Sequence, residues 1–222
     1  MQHIIVSFSF FLFLFSVFCQ PNIVYAPHSY TNSFTLSKNV PYSQSLDTAW
    51  KEAYKMQASV LVTEFGSGTS ATNLDKLGNI TQEQDMHMTG STFWVWKEGS
   101  GGWSMWSGAE DSSNMHLQPR RKSILVRPRP YAVMGQLLTL DYNVVTRKLI
   151  FTASFDREDE GVSSSFPPTL VYVPSTMYEE EKNVTITVTG AATLGLITKQ
   201  FDGSREVEIE VTGKGLYGVV IE

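Results

Sequence analysis

Cysteine is nearly missing from these 222 residues, with Cys19 the only one. That excludes a disulfide framework and a metal site built from thiolates. Charge is scarce as well. Charged residues make up 18% of the chain and the formal net charge is -5, whereas a nucleic-acid binder sets a basic stripe against phosphate, so no nucleic-acid partner is expected. The one basic cluster, Arg120, Arg121, Lys122, Arg127 and Arg129, is interrupted by Pro128 and Pro130 and reads as a solvated connector. His, Asp and Glu do not gather at metal-ligand spacing, so no metal or other cofactor is implied. Long apolar runs are confined to one place, Ile4 to Phe18, which is shorter than the roughly 20 residues that cross a membrane.

That run suits the apolar core of a secretory signal peptide, with a cut after Cys19. It divides the chain into a leader, 1–19, and a remainder expected to be secreted, extracellular or lysosomal. His3 stands where Lys or Arg usually precedes such a core, which leaves a membrane anchor as the alternative reading. Asn79-Ile80-Thr81 and Asn183-Val184-Thr185 become N-glycosylation acceptors if the chain takes the secretory route.

Past the leader the chain has two textures. Over 20–126, short apolar runs alternate with helical patterning. Asn22 to Tyr25 reads as a buried strand, and Ser45 to Met56 as a helix with Leu46, Ala49, Trp50, Ala53 and Tyr54 on its apolar face. Ser59 to Thr63 reads as a second strand and Ser91 to Trp96 as a third, with another helix between them. Strand, helix, strand, helix, strand is the order of a parallel α/β unit. Over 127–222 the signal changes to short β-branched runs between turns, seven in all from Leu137 to Ile221. Val184, Ile186 and Val188 alternate with threonines, and Val207, Ile209 and Val211 with glutamates, as strands with one buried face do. The expectation is a small antiparallel β-sandwich.

Chemistry concentrates at the ends of the first three strands. Glu64 follows the apolar run Leu61-Val62-Thr63 and precedes Phe65-Gly66. In a parallel barrel the carboxyl end of a strand is the catalytic face, although a lone carboxylate there is also what a solvated turn carries. His28 and Tyr30 leave the first strand two residues apart, on one face if the strand continues. An imidazole and a phenol can orient a carboxylate and keep it ionised. Trp94 and Trp96 leave the third strand with the same spacing, as flat platforms for sugar rings or as core. Trp103, Met105 and Trp106 follow in a loop that suits an apolar aglycone or simply packs on itself. Glu83, Asp85, Glu98 and Glu110 follow no strand and read as solvated loop residues.

The segments Val24-Tyr25-Ala26-Pro27-His28-Ser29-Tyr30, Leu61 to Gly66 and Gly90 to Lys97 together resemble the last three barrel strands of glycoside hydrolase family five, the cellulase superfamily. The flavour is that of its endoglycoceramidase-like branch, in which a small carboxyl-terminal sandwich follows the barrel. The resemblance covers Asn22 to Tyr142 by motif and the sandwich by architecture. It implies α/β plus all-β architecture, the carboxyl-terminal part of a (β/α)8 TIM barrel followed by a sandwich. It also implies a retaining glycosidase of O-glycosyl bonds acting on a β-glucoside, with glycolipid preferred over cellulose-like glucan or a sterol glucoside. Glu64 matches the nucleophile, and His28 and Tyr30 match the pair that contacts nucleophile and substrate. Trp96, with Trp94 as the fallback, matches the tryptophan under the sugar. A glycolipid substrate would also bring contact with a membrane surface.

One element of that pattern is missing. The family's acid/base glutamate follows an asparagine, and no Asn-Glu pair occurs here. Retaining hydrolysis needs both carboxyl groups, and a full barrel takes about 250 residues. The expectation is therefore a truncated form or isoform, inactive alone. The alternative is a non-catalytic carbohydrate-binding or structural secreted protein that keeps the aromatics and the sandwich.

Overall fold

The computed structural model describes residues 23–30, 40–96, 102–107, 116–156, 167–177 and 184–222. They fall into two compact units, 1–66 with 89–95 and 67–88 with 96–222. The leader, Glu98, Glu110 and Asn183 lie outside the described residues.

In the first unit, three strands pair in parallel in the order β1 (Val24–Tyr25), β2 (Ser59–Phe65) and β3 (Gly90–Phe93). The helix α1 (Tyr42–Lys55) packs on β2 with Leu46, Ala49 and Ala53 wholly buried. Its spacing follows the expected apolar face except at Tyr54, which is almost fully exposed. Trp50 instead uses its indole N–H to reach the Thr89 hydroxyl, 2.9 Å away. Val60, Val62 and Phe65 are the buried residues of β2. The step from Val62 to Phe65 breaks the alternation because the β2–β3 register shifts between them, as a bulge does.

Two strand expectations change. Asn22 to Tyr25 was expected as a buried strand, yet Val24 is more than half exposed. The strand β1 pairs only with β2, so one of its edges has no sheet partner among the described residues. The third strand stops at Phe93 rather than running to Trp96. Its pairing ends where β2 ends, with Phe65 opposite Phe93, so Trp94 and Trp96 do not share a strand face. The peptide bond between Trp94 and Val95 is cis.

The second unit holds helix α2 (Ala71–Met86), a two-residue ribbon of β4 (Trp106–Ser107) and β5 (His116–Leu117), helix α3 (Pro119–Leu125) and eight further strands. The eight are β6 (Arg129–Ala132), β7 (Gln136–Asn143), β8 (Lys148–Phe155), β9 (Thr169–Val173), β10 (Ile186–Gly190), β11 (Ala192–Lys199), β12 (Arg205–Val211) and β13 (Gly215–Ile221). They form two antiparallel sheets, β10-β13-β8-β7 and β11-β12-β9-β6. One apolar core lies between them, built on Leu149, Phe151, Val171, Val207, Ile209, Val219 and Ile221. Removing a side chain of this kind costs both its transfer energy and the cavity it leaves. The chain crosses from one sheet to the other at Gly190, where φ is +80° and a Cβ would sit 2.2 Å from the Leu216 carbonyl oxygen. Only glycine takes that conformation without strain.

The seven expected strands are present, and β6 is an eighth. Its Pro130 is tolerated because β6 is the outer strand of its sheet.

The basic cluster is only partly solvated: Arg120 and Arg129 are exposed, whereas Arg121 and Arg127 are not. Arg121 is wholly buried, with its guanidinium donating to the carbonyls of Ser67 at 2.8 Å, Gly102 at 3.2 Å and Ser104. Burial lowers its pKa. Arg127 grips both oxygens of Asp85, at 2.7 and 2.8 Å, which makes Asp85 a buried helix residue and not a loop carboxylate. Glu83 likewise lies in α2. Burial lifts the Asp85 pKa above the ordinary carboxylate value, against the opposing pull of Arg127. Desolvation thus offsets much of the ion pair's attraction.

Removing one partner should nevertheless be costly, because the other is left buried and unpaired. Arg127→Met is expected to destabilise the protein by about 3 kcal/mol, and Arg127→Met with Asp85→Leu to recover most of that. The sign with pH follows from the raised carboxyl: stability is kept below the unfolded Asp pKa and lost as pH rises through the folded one. The single variant's deficit should therefore shrink toward acid pH, as measured by denaturant unfolding across a pH series.

Candidate functional site

Parallel pairing of β1 and β2 continues past the end of β1 and sets the site. Thr63 N–H donates to Pro27 O at 3.0 Å, and Ser29 N–H donates to Glu64 O at 2.8 Å. His28 thereby stands opposite Glu64 as an isolated parallel bridge. On the other side Trp94 N–H donates to Phe65 O at 2.8 Å. The Phe65 and Phe93 rings meet edge to face, with centroids 5.7 Å apart. Such a pair fixes the relative position of its two strands.

These contacts gather side chains at the carboxyl edge of the sheet, where parallel α/β folds place their ligands. Tyr30 donates its phenol proton to Glu64 Oε1. His28 Nδ1 lies 3.2 Å from Glu64 Oε2. Each carboxylate oxygen therefore has its own partner, which fixes the plane of the group. The Glu64 side chain is 21% exposed and that of His28 63%, so the carboxylate is sheltered yet open to a ligand. The Tyr30 phenol is pushed well up by burial first and then by the neighbouring Glu64 carboxylate. It remains a neutral donor throughout the physiological range. A hydrogen bond to a charged acceptor is worth about 1.5–3 kcal/mol, more than a neutral one.

His28, Tyr30 and Glu64, read from the sequence as one constellation, come together in the first unit. Trp94 joins that unit at the end of β3, about half exposed. Trp96 belongs to the second unit, where its ring is 61% exposed and meets Trp106 edge to face at 5.9 Å. There the loop of Trp103, Met105 and Trp106 is partly packed on itself. Met105 is buried, Trp103 remains exposed, and the Ser104 hydroxyl donates to Trp96 O at 3.2 Å. Sequence reasoning missed Arg121, which binds the carbonyls of Gly102 and Ser104 and so holds this loop in shape. Its signal was positional: Arg121 and Ile124, three apart, are the two buried residues of α3. Among the described residues no cluster of three or more His, Cys, Asp and Glu could hold a metal.

Residues 127–214 match the glycoside hydrolase family 5 C-terminal domain. No curated protein sequence matches the chain. Among solved structures, endogalactoceramidase is similar with a TM-score of 0.64 at 17% identity, over 90% of this chain and 42% of that one. Endo-glycoceramidase II from Rhodococcus sp., solved as its lactosyl-enzyme intermediate, gives 0.56 at 16% identity, over 81% and 38%. Sterylglucosidase 1 of Cryptococcus neoformans gives 0.59 at 16% identity, over 81% and 31%. The likeness is one of fold, and the chain spans well under half the length of each of these proteins.

The electrostatic coupling between Tyr30 and Glu64 is measurable without any substrate. Glu64→Gln removes the charge that helps hold the Tyr30 proton, so the phenol should titrate at lower pH in that variant. Tyr131, whose pKa is pushed up to about 12 by burial and by Glu206, should not move. Carbon-13 tyrosine NMR across an alkaline series reads both.

Proposed function

We propose that this chain carries the nucleophile side of a retaining glycoside hydrolase site, with Glu64 as the nucleophile, at the carboxyl ends of the last three strands of a (β/α)8 barrel. The observation that carries the reading is the Glu64 carboxylate held by Tyr30 and His28 at the edge of a parallel sheet. It occurs in a chain whose residues 127–214 match a glycoside hydrolase family 5 domain.

In this reading Glu64 attacks the anomeric carbon as the glycosidic bond breaks, forming a covalent glycosyl-enzyme that water later hydrolyses with net retention. Tyr30 stays protonated and aims one carboxylate oxygen, leaving the other, beside His28, to respond to the sugar. As charge leaves the carboxylate, these hydrogen bonds weaken together, so they favour regeneration of free Glu64 in the second step. Trp94, about half exposed at the end of β3 in the same unit, offers a face for the sugar. The leaving-group oxygen needs a proton from a second carboxyl group, and with no Asn-Glu pair in the sequence that role is given to none of the residues here. No metal or organic cofactor enters the reaction.

For the substrate we favour a β-glucoside with an apolar aglycone, a glycolipid. Two structural neighbours are named for ceramide glycosides and one for a steryl glucoside. The apolar leader 1–19 supports a secreted or lysosomal location reached by a signal peptide. A second reading, a carbohydrate-binding protein without turnover, draws on the exposed Trp94 and Trp96 together with the missing Asn-Glu pair.

An aryl β-glucoside with an activated leaving group distinguishes the two, because its departure needs little acid assistance. Incubation with the purified chain is expected to leave a glycosyl adduct on Glu64, seen by mass spectrometry and abolished by Glu64→Gln. A folded chain that binds glucoside equally well in both forms and yields no adduct would overturn the hydrolase reading in favour of binding alone.

A further inference from the structure

On one side of β2, Val24 stands opposite Ser59 and Tyr25 opposite Val60. That register, carried on, would bring His28 level with Thr63, yet His28 is level with Glu64. On the other side Leu61 stands opposite Gly90, Val62 opposite Ser91 and Phe65 opposite Phe93. Thr63 and Glu64 together therefore face Thr92 alone. Both neighbours place one extra residue at the same point, so the irregularity is a bulge in β2 itself.

Side chains alternate along a strand, and one added residue inverts the face of everything after it. Val60 and Val62 are buried, whereas Ser59 and Leu61 are exposed. The same division runs along β1 and its extension, with Val24, Ala26 and His28 exposed and Pro27 and Ser29 buried. Without the bulge Glu64 would follow Val60 and Val62 onto the buried face, away from His28 and Tyr30. With it, Phe65 takes the buried place, and Glu64 turns to the side of its two partners.

A bulge interrupts the ladder, and here threonine hydroxyls brace the interruption from both sides. Thr63 N–H donates to Pro27 O, and an unbroken parallel ladder would then give the Ser29 N–H to Thr63 O. That N–H goes to Glu64 O instead. The Thr63 carbonyl accepts the hydroxyl proton of Thr92, from β3. Thr63's own hydroxyl points the other way and donates to Ala26 O at 3.2 Å.

We propose that Thr92 is a positioning residue for Glu64: its hydroxyl holds the Thr63 carbonyl in the bulged arrangement, and the bulge aims the carboxylate at Tyr30 and His28. Thr92 acts on the backbone of the residue before Glu64, not on the carboxylate itself. Serine can supply the same donor, and valine, of the same shape, cannot. The aim of the carboxylate is read without any sugar; only its effect on glycosyl transfer rests on the glycosidase reading.

The test compares Thr92→Val with Thr92→Ser by carbon-13 tyrosine NMR across an alkaline series. In Thr92→Val the Tyr30 phenol should titrate about one pH unit lower than in the parent chain, because the Glu64 charge no longer lies against it. Tyr25, on β1 in the same unit and bonded to Glu52, should stay at about 12. Thr92→Ser should keep the parent's Tyr30 titration. Thr92→Ala stands in if the valine variant fails to match the parent's thermal unfolding. With an activated aryl β-glucoside, Thr92→Val should also slow adduct formation on Glu64 at least about tenfold, as displacement of a reacting group does, and Thr92→Ser should not. An unchanged Tyr30 titration in Thr92→Val would overturn the proposal. So would a Tyr25 that moves with Tyr30, which marks general loosening of the sheet, or a serine variant that behaves as the valine one does. A Tyr30 shift in a chain whose parent form gives no adduct would remove the nucleophile reading and leave the positioning role in place.

Discussion

Ser29 N–H donates to the carbonyl of Glu64, and the candidate site depends on that backbone pairing. A parallel ladder between β1 and β2 carries the chain four residues past the formal end of β1, to Ser29. Within that extension His28 comes level with Glu64, and Tyr30 follows at the spacing needed to reach the same carboxylate. Without the ladder, two side chains on one segment would have no reason to meet a third one over thirty residues away. The opposite side is fixed in the same manner, since Phe65 O holds Trp94 N–H. Side-chain chemistry here is downstream of backbone hydrogen bonding, which any parallel sheet must satisfy.

What was legible in the sequence is what depends on local period. Glutamates and valines alternating through β12 announce a strand with one wet face, and Val207, Ile209 and Val211 are indeed buried. The meeting of His28, Tyr30 and Glu64 was legible for a related reason: parallel strands bring their carboxyl ends to one edge, so residues just past those ends are neighbours. The failures share a cause too. Trp94 and Trp96 look like one face of a strand only if the strand continues, and its end is set by where β2 stops. Tyr54 fits the helical period but lies at the rim of the packed face, where period alone cannot say how far the sheet extends. Strand β6 escaped notice because Arg129 and Pro130 suppress the usual β signal, yet an outer strand tolerates both.

The basic cluster is the sharpest of these cases. A run of arginines between prolines resembles a solvated linker by composition, but an arginine is also the side chain best able to bond several carbonyls at once. Arg121 does this inside the second unit, gathering the carbonyls of Ser67, Gly102 and Ser104. Arg127 takes both oxygens of Asp85 on α2. Neither role has a sequence period, because each partner is a backbone or side-chain group far along the chain. Composition can count charges but not the acceptors awaiting them.

Arg121 bears on the loop of Trp103, Met105 and Trp106 through the Gly102 and Ser104 carbonyls it binds. Glu64 owes its orientation to β1 and β2, within the first unit, whereas Trp96 and the loop of Trp103, Met105 and Trp106 owe theirs to Arg121, within the second. The Glu64 carboxylate and the aromatic loop therefore rest on separate supports. Hydrogen bonds from Tyr30 and His28 orient the carboxylate with a directional interaction whose partners must lie within a few tenths of an ångström of their places. Aromatic surface contributes by area, which tolerates displacement and a range of ring shapes. The backbone ladder meets the first need at Glu64, and the Arg121 bonds to Gly102 and Ser104 hold the aromatic loop for the second.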